Sequence, residues 1–255
     1  MANWLRAVGW PVAVESSLLA SRQAGSVTSN LPRLSAAHEA AGMAGLSRMR
    51  VRRTVTRVAV FIDNQNAYMG ARAAFGLQNA HYTEGQINPL RLAQNLVALG
   101  HGVDPTRRLT EVRIYRGEPS PKHSPVGQAA CQRQVAAWRA MPLVTPVVRP
   151  LKYYPDGTIR EKGIDVLIAL DIAEGAYTNT YDVAILMSAD TDLIPALERS
   201  VRHGKRVEVA AWRSQVTQSR LQIHGLAMWC HWLDMPAYLG CGDSDDYASD
   251  RGVVR

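Results

Sequence analysis

The segment from Tyr181 to Leu193, YDVAILMSADTDL, constrains the fold of this chain more than any other stretch. Its residues Val183–Met187 are all apolar and do not alternate with polar ones, which is typical of a strand covered by helices on both faces of a parallel sheet. A short turn with Asp190 and Asp192 follows, and an amphipathic helix comes next. Because ligands bind outside the carboxyl ends of parallel strands, this order predicts an active-site edge.

A second copy of this layout lies upstream, in RVAVFIDNQNAYMGARAAFG. Residues 57–62 form an apolar strand that ends at Asp63, and a polar turn with Asn64 and Asn66 leads into an amphipathic helix. The carboxyl ends of parallel strands meet at one edge of a sheet. We therefore expect Asp63 and the acids after the later strand to share one site.

The rest of the regular sequence alternates strands with helices at short spacing. This alternation predicts an α/β fold with a doubly wound, mostly parallel sheet of about five strands. The further strands are expected at 110–115, 144–151 and 206–212, and the helices at 66–75, 89–99, 126–141, 164–176, 194–203 and 219–233.

Three regions of different character divide the chain. Residues 1–50 show no sustained period and are expected to be a disordered leader, a transit peptide or a mis-assigned start upstream of Met43 or Met49. Residues 51–235 are the predicted domain, and residues 236–255 are expected to be an acidic disordered tail. The run AVGWPVAV is too short to span a membrane, so no membrane partner is expected.

Charge and cysteine content add weaker constraints. Most of the net charge of +7 falls in residues 1–57, which hold about eight basic and two acidic side chains, so the remainder is close to neutral. Basicity alone is therefore a weak argument for nucleic-acid binding. The three cysteines form no CxxC pair, and we expect reduced thiols in a cytoplasmic protein.

Asp165 is unusual among the acids because its predicted helix places it on an apolar face. On its predicted helix it shares a face with Ala169 and Ile172, so it is expected to be buried. A buried carboxylate needs a positive partner or becomes protonated. That partner is either Lys162, in a structural ion pair, or a divalent cation shared with Asp63 and Asp190.

Each acid also has a purely structural interpretation. Asp63, Asp190 and Asp192 can cap the helices that follow them, because Asp is a favoured N-cap residue. Asp171 can pair with a basic side chain across a helix interface. Several carboxylates at one sheet edge nevertheless repel one another, and a hard cation with oxygen ligands relieves that repulsion.

Three segments together resemble a known family, the NYN domain, and in particular its LabA-like branch within the PIN-like nuclease superfamily. They are FIDNQN at 61–66, EKGIDVLIALD at 161–171 and YDVAILMSADTDLIPAL at 181–197. The resemblance implies a PIN-like α/β/α sandwich. Ala189, Thr191 and Leu193 depart from the usual pattern, which has Gly, a small residue and Phe there, but every carboxylate is in place.

The resemblance also implies a metal-dependent ribonuclease. Its metal-binding and catalytic acids match Asp63, Asp165 and Asp190, which would hold Mg²⁺ or Mn²⁺, and Asp192 would act through water or position the nucleophile. Asn66 and Ser188 match polar residues that would bind a phosphate or hold the carboxylates. Lys162 would meet charge in the transition state. The loops at this edge would offer RNA a basic and aromatic approach, with Arg116, Lys122, Lys152, Arg160, Arg213, Tyr153 and Tyr154.

Two other functions stay open on the sequence alone. One is a non-catalytic RNA-binding or regulatory module with the same fold, and a homo-oligomer or protein partner is compatible with either reading. The other is a Mg²⁺-dependent phosphatase on a Rossmann-like sheet. An acid two residues after the first aspartate would favour the phosphatase, but that position is Gln65.

Overall fold

The structure is a computed structural model that describes residues 55–249, so the predicted leader and residues 250–255 lie outside the described residues. The described chain alternates strands and helices from its first element to its last. In order these are β1 (Thr56–Asp63), α1 (Asn64–Ala74), α2 (Pro89–Gly100), β2 (Arg107–Glu118), α3 (Pro125–Arg139), β3 (Val144–Pro150), β4 (Lys152–Tyr153), β5 (Ile159–Arg160), α4 (Ile164–Tyr177), β6 (Val183–Met187), a 3₁₀ turn (Thr191–Leu193), α5 (Ile194–Arg202), β7 (Arg206–Trp212), β8 (Trp229–Leu233) and α6 (Met235–Cys241).

Six of these strands form one sheet in the order β3-β2-β1-β6-β7-β8, and every neighbouring pair in it is parallel. Strands β4 and β5 form a separate antiparallel hairpin. The predicted α/β fold with a mostly parallel sheet is confirmed, with one strand more than expected.

Helices cover both faces of the sheet, which makes the domain an α/β/α sandwich. One core packs side chains of α1, α2, α3 and α6 against the sheet, including Leu92, Leu96 and Trp138. The other core packs α4 and α5 on the opposite face, through residues such as Ile168 and Leu197. Strand β6 is buried along its whole length because it lies in the middle of both cores.

The expected last helix, 219–233, is wrong. Residues Trp229–Leu233 instead form β8, which pairs with β7 and satisfies backbone groups of β7 that a helix would have left open. The apolar residues that suggested helical periodicity are nevertheless buried, because Leu221 and Ile223 pack into the second core from a loop.

The expectation of a disordered tail from residue 236 is wrong for the described part of that segment. Asp234 caps helix α6 by accepting a hydrogen bond from the Ala237 amide, at 3.1 Å. Tyr238 and Cys241 of this helix are buried in the first core. Their apolar side chains give the segment enough buried surface to order it, which its acidic composition did not indicate.

All three cysteines are free, in agreement with the expected reduced thiols, and all three are buried. Within residues 55–249, no helix combines the length and apolarity that a membrane crossing requires. The parallel register places the ends of β1, β2 and β6 side by side, since Ile62 pairs with Met187 and Asp63 with Tyr115. The residues that follow these strands therefore meet at one edge.

Candidate active site at the carboxyl edge of the sheet

Asp63 ends strand β1 and begins helix α1. One carboxylate oxygen, Oδ1, accepts a hydrogen bond from the Asn66 amide at 3.0 Å and so caps the helix. The other oxygen, Oδ2, accepts a hydrogen bond from Ser188 Oγ at 3.3 Å. The carboxylate thus joins its own helix to the end of the neighbouring strand β6.

Asp190 stands in the corresponding place after strand β6. Its Oδ1 accepts a hydrogen bond from the Asp192 amide at 2.9 Å and caps the 3₁₀ turn. Ser188 Oγ accepts a hydrogen bond from the Asp190 amide at 3.2 Å. The capping interpretation is therefore confirmed for Asp63 and Asp190, and in each carboxylate it uses only one oxygen.

Two uncharged side chains tie these turns together. The Asn66 side-chain oxygen accepts a hydrogen bond from the Ala189 amide, at 3.1 Å. Buried Ser188 contacts both the Asp63 carboxylate and the Asp190 amide. Asn66 and Ser188 therefore fix the relative positions of two carboxylates that come from distant parts of the sequence.

Burial raises the pKa of Asp63 to about 6, and the charge of Asp190 adds to this rise. Hydrogen bonds from Asn66 and Ser188 act in the opposite direction but do not outweigh burial. An acid with a raised pKa inside a cluster of like charges is a recurrent feature of functional sites.

Glu161 also belongs to this cluster, and sequence reasoning assigned it no role. Its Oε1 accepts a hydrogen bond from the Gly117 amide at 2.5 Å, just beyond the pairing of β2 with β1. Burial and the charge of Asp63 raise its pKa to about 7, with a further contribution from Asp165. A Cβ at Gly117 would lie 2.9 Å from this oxygen and 2.2 Å from Leu151 Cδ2, so glycine is needed for the contact.

Asp165 is not buried, contrary to expectation. The buried stripe of helix α4 includes Ile164, Ile168 and Ile172, and Asp165 is turned one position away from it and is half-buried. Lys162 is exposed, and none of the ion pairs within residues 55–249 joins it to Asp165. The structural ion pair of Lys162 with Asp165, one of the two alternatives for this acid, is therefore absent from the described chain.

Asp165 and Asp192 instead line the same groove, between helices α4 and α5. Asp192 is exposed, because it sits in the 3₁₀ turn that precedes α5. Asp165 still acts on the Glu161 carboxylate through its charge. Acidic side chains therefore extend along this edge from Asp63 and Glu161 to Asp165 and Asp192 in the groove.

The prediction that Arg116 lies on an open loop is wrong, because the residue belongs to strand β2 and is buried. It is 6% exposed, its guanidinium donates hydrogen bonds to the Gln134 side chain and the Gly117 carbonyl, and it lies 5.9 Å from the Trp138 ring. It is buried because β2 continues to Glu118, well beyond the predicted end at residue 115.

The other predicted basic residues, Lys122, Lys152, Arg160 and Arg213, are exposed. Lys152 and Arg160 face each other across the β4–β5 hairpin.

Tyr153 and Asp171 have partners within the fold. The Tyr153 hydroxyl accepts a hydrogen bond from the Ser120 amide at 3.0 Å, and its ring stacks on His123. Asp171 has the predicted structural role, bonded to Arg113 at 2.9 Å and to the Tyr115 hydroxyl at 2.7 Å.

The acids fit a hydrated divalent cation. Within the described range no three acidic, His or Cys side chains stand close enough to form a preformed metal cage, so Asp63, Asp165 and Asp190 are not assembled into one. Mg²⁺, however, is commonly held by one or two carboxylates with water completing its shell. Carboxylate oxygens are its preferred donors, and a cation would offset both the burial that raises the pKa values of Asp63 and Glu161 and the like charges that add to the rise.

Comparison with known proteins gives the family. The NYN domain family matches residues 57–223, and no curated protein matches the chain. A solved protein of unknown function from Vibrio parahaemolyticus is 23% identical over 63% of this chain and 85% of its own, with a TM-score of 0.41. LpCGTa in complex with UDP is 19% identical over 62% of this chain and 31% of its own, with a TM-score of 0.25. These two likenesses are too weak to carry an argument, but the family match spans more than half of the chain, which therefore belongs to the NYN domain family and has its PIN-like, nuclease-type fold.

Proposed function

We propose that this protein is a ribonuclease that hydrolyses phosphodiester bonds of single-stranded RNA at the carboxylate edge. The observation that carries the proposal is the convergence of three acids, with raised pKa values for Asp63 and Glu161. Asp63 ends β1, Asp190 follows β6, and Glu161 reaches the same edge through the Gly117 amide of β2. When carboxylates with raised pKa values are ionised, they destabilise the folded chain unless a positively charged ligand compensates their charge. The nuclease-type fold of the family makes a phosphodiester the reactant that this edge suits.

The proposed cofactor is Mg²⁺ or Mn²⁺. Asp63 and Asp190 would hold the ion, with Glu161 and Asp165 contributing charge directly or through water. When bound, such an ion lowers the pKa of a coordinated water and offsets negative charge on the phosphodiester.

The uncharged residues have a positioning role in this proposal. Asn66 and Ser188 hold the two aspartate turns in register through hydrogen bonds of 3.1 to 3.3 Å. Exposed Lys162, with Lys152 and Arg160 on the hairpin, supplies positive charge for the phosphate backbone. Asp192, exposed beside Asp190, is available to bind through water.

Cleavage of end-labelled single-stranded RNA with Mg²⁺ or with EDTA tests the proposal. Asp63→Asn and Asp190→Asn are each expected to lower the Mg²⁺-dependent rate by about 100-fold or more, and the double variant should be no worse than either, because groups that act together are non-additive. Glu198→Gln, an exposed acid on α5, is the control and should cleave normally. Cleavage by the Asp63→Asn variant at the parent rate would contradict the proposal.

The two rival functions give different results in the same experiment. RNA binding without turnover on a panel of single-stranded RNAs would favour the non-catalytic module. Mg²⁺-dependent hydrolysis of p-nitrophenyl phosphate, with no RNA cleavage, would favour the phosphatase.

A further inference from the structure

A cavity lies beside the carboxylate edge, on the face of the sheet covered by α1 and α3. It has a volume of about 40 Å³ and is lined by Asn64, Tyr82, Gln86, Arg116, Gln134 and Ala130, among others. A buried water needs roughly 10–15 Å³ of such space, so the cavity as closed admits only a few waters. Its polar lining is unusual for a gap in a hydrophobic core.

Asn64 is the residue that this cavity leaves unexplained. It follows Asp63 directly, is 5% exposed and lines the cavity, and no side-chain hydrogen bond joins it to another residue within 55–249, although its amide atoms are not among the fully enclosed atoms without a partner. The amide therefore faces the space of the cavity, where water or a ligand can hydrogen-bond to it. A ligand in the cavity would supply both the acceptor and the donor that this amide lacks.

The neighbouring side chains suit the edge of a nucleobase. Gln134 accepts a hydrogen bond from Arg116 and donates one to Gln86 Oε1 at 2.9 Å, so amide and guanidinium groups line one wall. Tyr82 adds an aromatic ring. Proteins read unpaired RNA bases with this combination of amides, arginine and stacking rings.

The carboxyl-terminal segment 243–249 covers this cavity. Tyr247 and Ala248 line its mouth, the Tyr82 hydroxyl donates a hydrogen bond to the Asp246 carboxylate, and Arg133 Nε donates one to the Tyr247 carbonyl at 2.7 Å. The segment DSDDYAS is acidic. It therefore presents carboxylates and an aromatic ring where a nucleotide would present a phosphate and a base.

We propose that this cavity receives a base of single-stranded RNA next to the cleaved bond, and that residues 243–249 cover it in competition with the RNA. The inference rests on the proposed function for the identity of the ligand. Its structural basis is separate, since it depends on Asn64 and the tail and not on the acids.

The first test removes the cover in the full chain. Binding of a short fluorescein-labelled single-stranded RNA of mixed sequence is measured by anisotropy in EDTA. The double variant Asp246→Asn, Tyr247→Ala is expected to bind about fivefold more tightly, within the range of one stacking contact. The matched control is Tyr177→Ala with Glu198→Gln, which removes the same kinds of group from exposed positions of α4 and α5. An equal gain in both double variants, or no gain, would overturn the competition.

The second test acts on the cavity itself. Asn64→Ala should lower RNA affinity about fivefold or more in the uncovered variant, while the melting temperature stays close to that of the parent. The neighbouring Gln65→Ala is the control and should bind like its parent. Ala130→Leu, which fills the cavity from α3, should reproduce the loss of binding. Unchanged affinity in both Asn64→Ala and Ala130→Leu would exclude the cavity as a base site.

The outcomes separate this inference from the proposed function. RNA binding that follows the cavity variants, without cleavage by the parent, would retain the pocket and reject the nuclease. If the parent cleaves RNA but none of these substitutions changes RNA affinity, the nuclease is retained and the pocket is rejected. If neither the parent nor the uncovered variant binds RNA, the pocket is rejected.

Discussion

Two regions of this sheet bury carboxylates, and they handle the charge differently. Toward the amino ends of β2 and β7, Glu208 is fully buried but accepts hydrogen bonds from Arg107 and from His231 Nε2 at 2.7 Å, and it forms an ion pair with Arg206 Nε at 3.1 Å. Burial opposes its ionisation, but the hydrogen bonds from His231 and Arg107 outweigh burial and lower its pKa. Here the chain itself compensates the charge.

At the carboxyl edge, burial outweighs the hydrogen bonds, so the pKa values of two acids are raised. Burial raises the pKa of Asp63 to about 6 and that of Glu161 to about 7, and other acids add to both shifts. Arg116 acts on Glu161 in the opposite direction without overcoming burial. Glu208 therefore serves stability, whereas the acids at the carboxyl edge lack such partners within the described chain and are the ones to which the proposed function assigns a cation.

Breaking the compensated region should have the largest effect on stability. Glu208→Gln leaves the Arg107 charge buried without its counter-ion, so we expect the free energy of unfolding to fall by about 3–5 kcal/mol. Urea unfolding with EDTA and with Mg²⁺ should give the same loss. Glu111→Gln, which breaks a partly exposed pair with Arg113, is the control and should cost about 1 kcal/mol or less. A loss at Glu208 no larger than at Glu111 would contradict the contrast.

Removing the charge of Glu161 at the carboxyl edge should instead stabilise the metal-free protein. Glu161→Gln keeps an oxygen for the Gly117 amide and removes a charge that is costly at pH 8. We expect a gain of about 1–3 kcal/mol in the free energy of unfolding in EDTA. Glu198→Gln should have no such effect. A loss of stability in Glu161→Gln would show that its carboxylate has a compensating partner in the fold.

The same pKa shifts predict a pH dependence of the metal-free protein. Folding raises the pKa of Glu161 from 4.5 to about 7 and that of Asp63 from 3.8 to about 6, so the folded state binds more protons between these values. Their contribution to stability should therefore fall as the pH rises from about 4 to 7 and then level off. Urea unfolding of the parent and of Glu161→Gln in EDTA should differ increasingly over that interval. A constant difference would contradict the raised pKa of Glu161.

Asp165 should give the smallest change in stability. It is half-buried and has no ion pair in the described chain, so Asp165→Asn should alter the free energy of unfolding in EDTA by about 0.5 kcal/mol or less. A fall of several kcal/mol in the free energy of unfolding would instead support a structural ion pair of Asp165 with Lys162. A thermal melt with Mg²⁺ then reports whether Asp165 contributes to metal binding.

The sequence predicted the fold and part of this edge. Apolar strands that end in acids are a local pattern, so β1, β6 and the proximity of Asp63 to Asp190 followed from it. Glu161 was missed because its burial depends on the distant Gly117, which no local pattern records. The positions of Asp165 and Arg116 were wrong for a related reason, since helix rotation and strand length are decided by packing. Strand β8 escaped prediction because its pairing with β7 overrides the local periodicity.

The most direct test of the central claim is a pair of thermal melts of Asp63→Asn, one in EDTA and one in millimolar Mg²⁺. Asn keeps the capping oxygen of Asp63 and removes its charge. We expect the parent to melt at a higher temperature in Mg²⁺ than in EDTA, and we expect the variant to melt in EDTA at or above the temperature of the parent and to lack that Mg²⁺-induced rise. A melting temperature several degrees lower in EDTA, with the Mg²⁺-induced rise retained, would show that Asp63 is only a helix cap and would contradict the account.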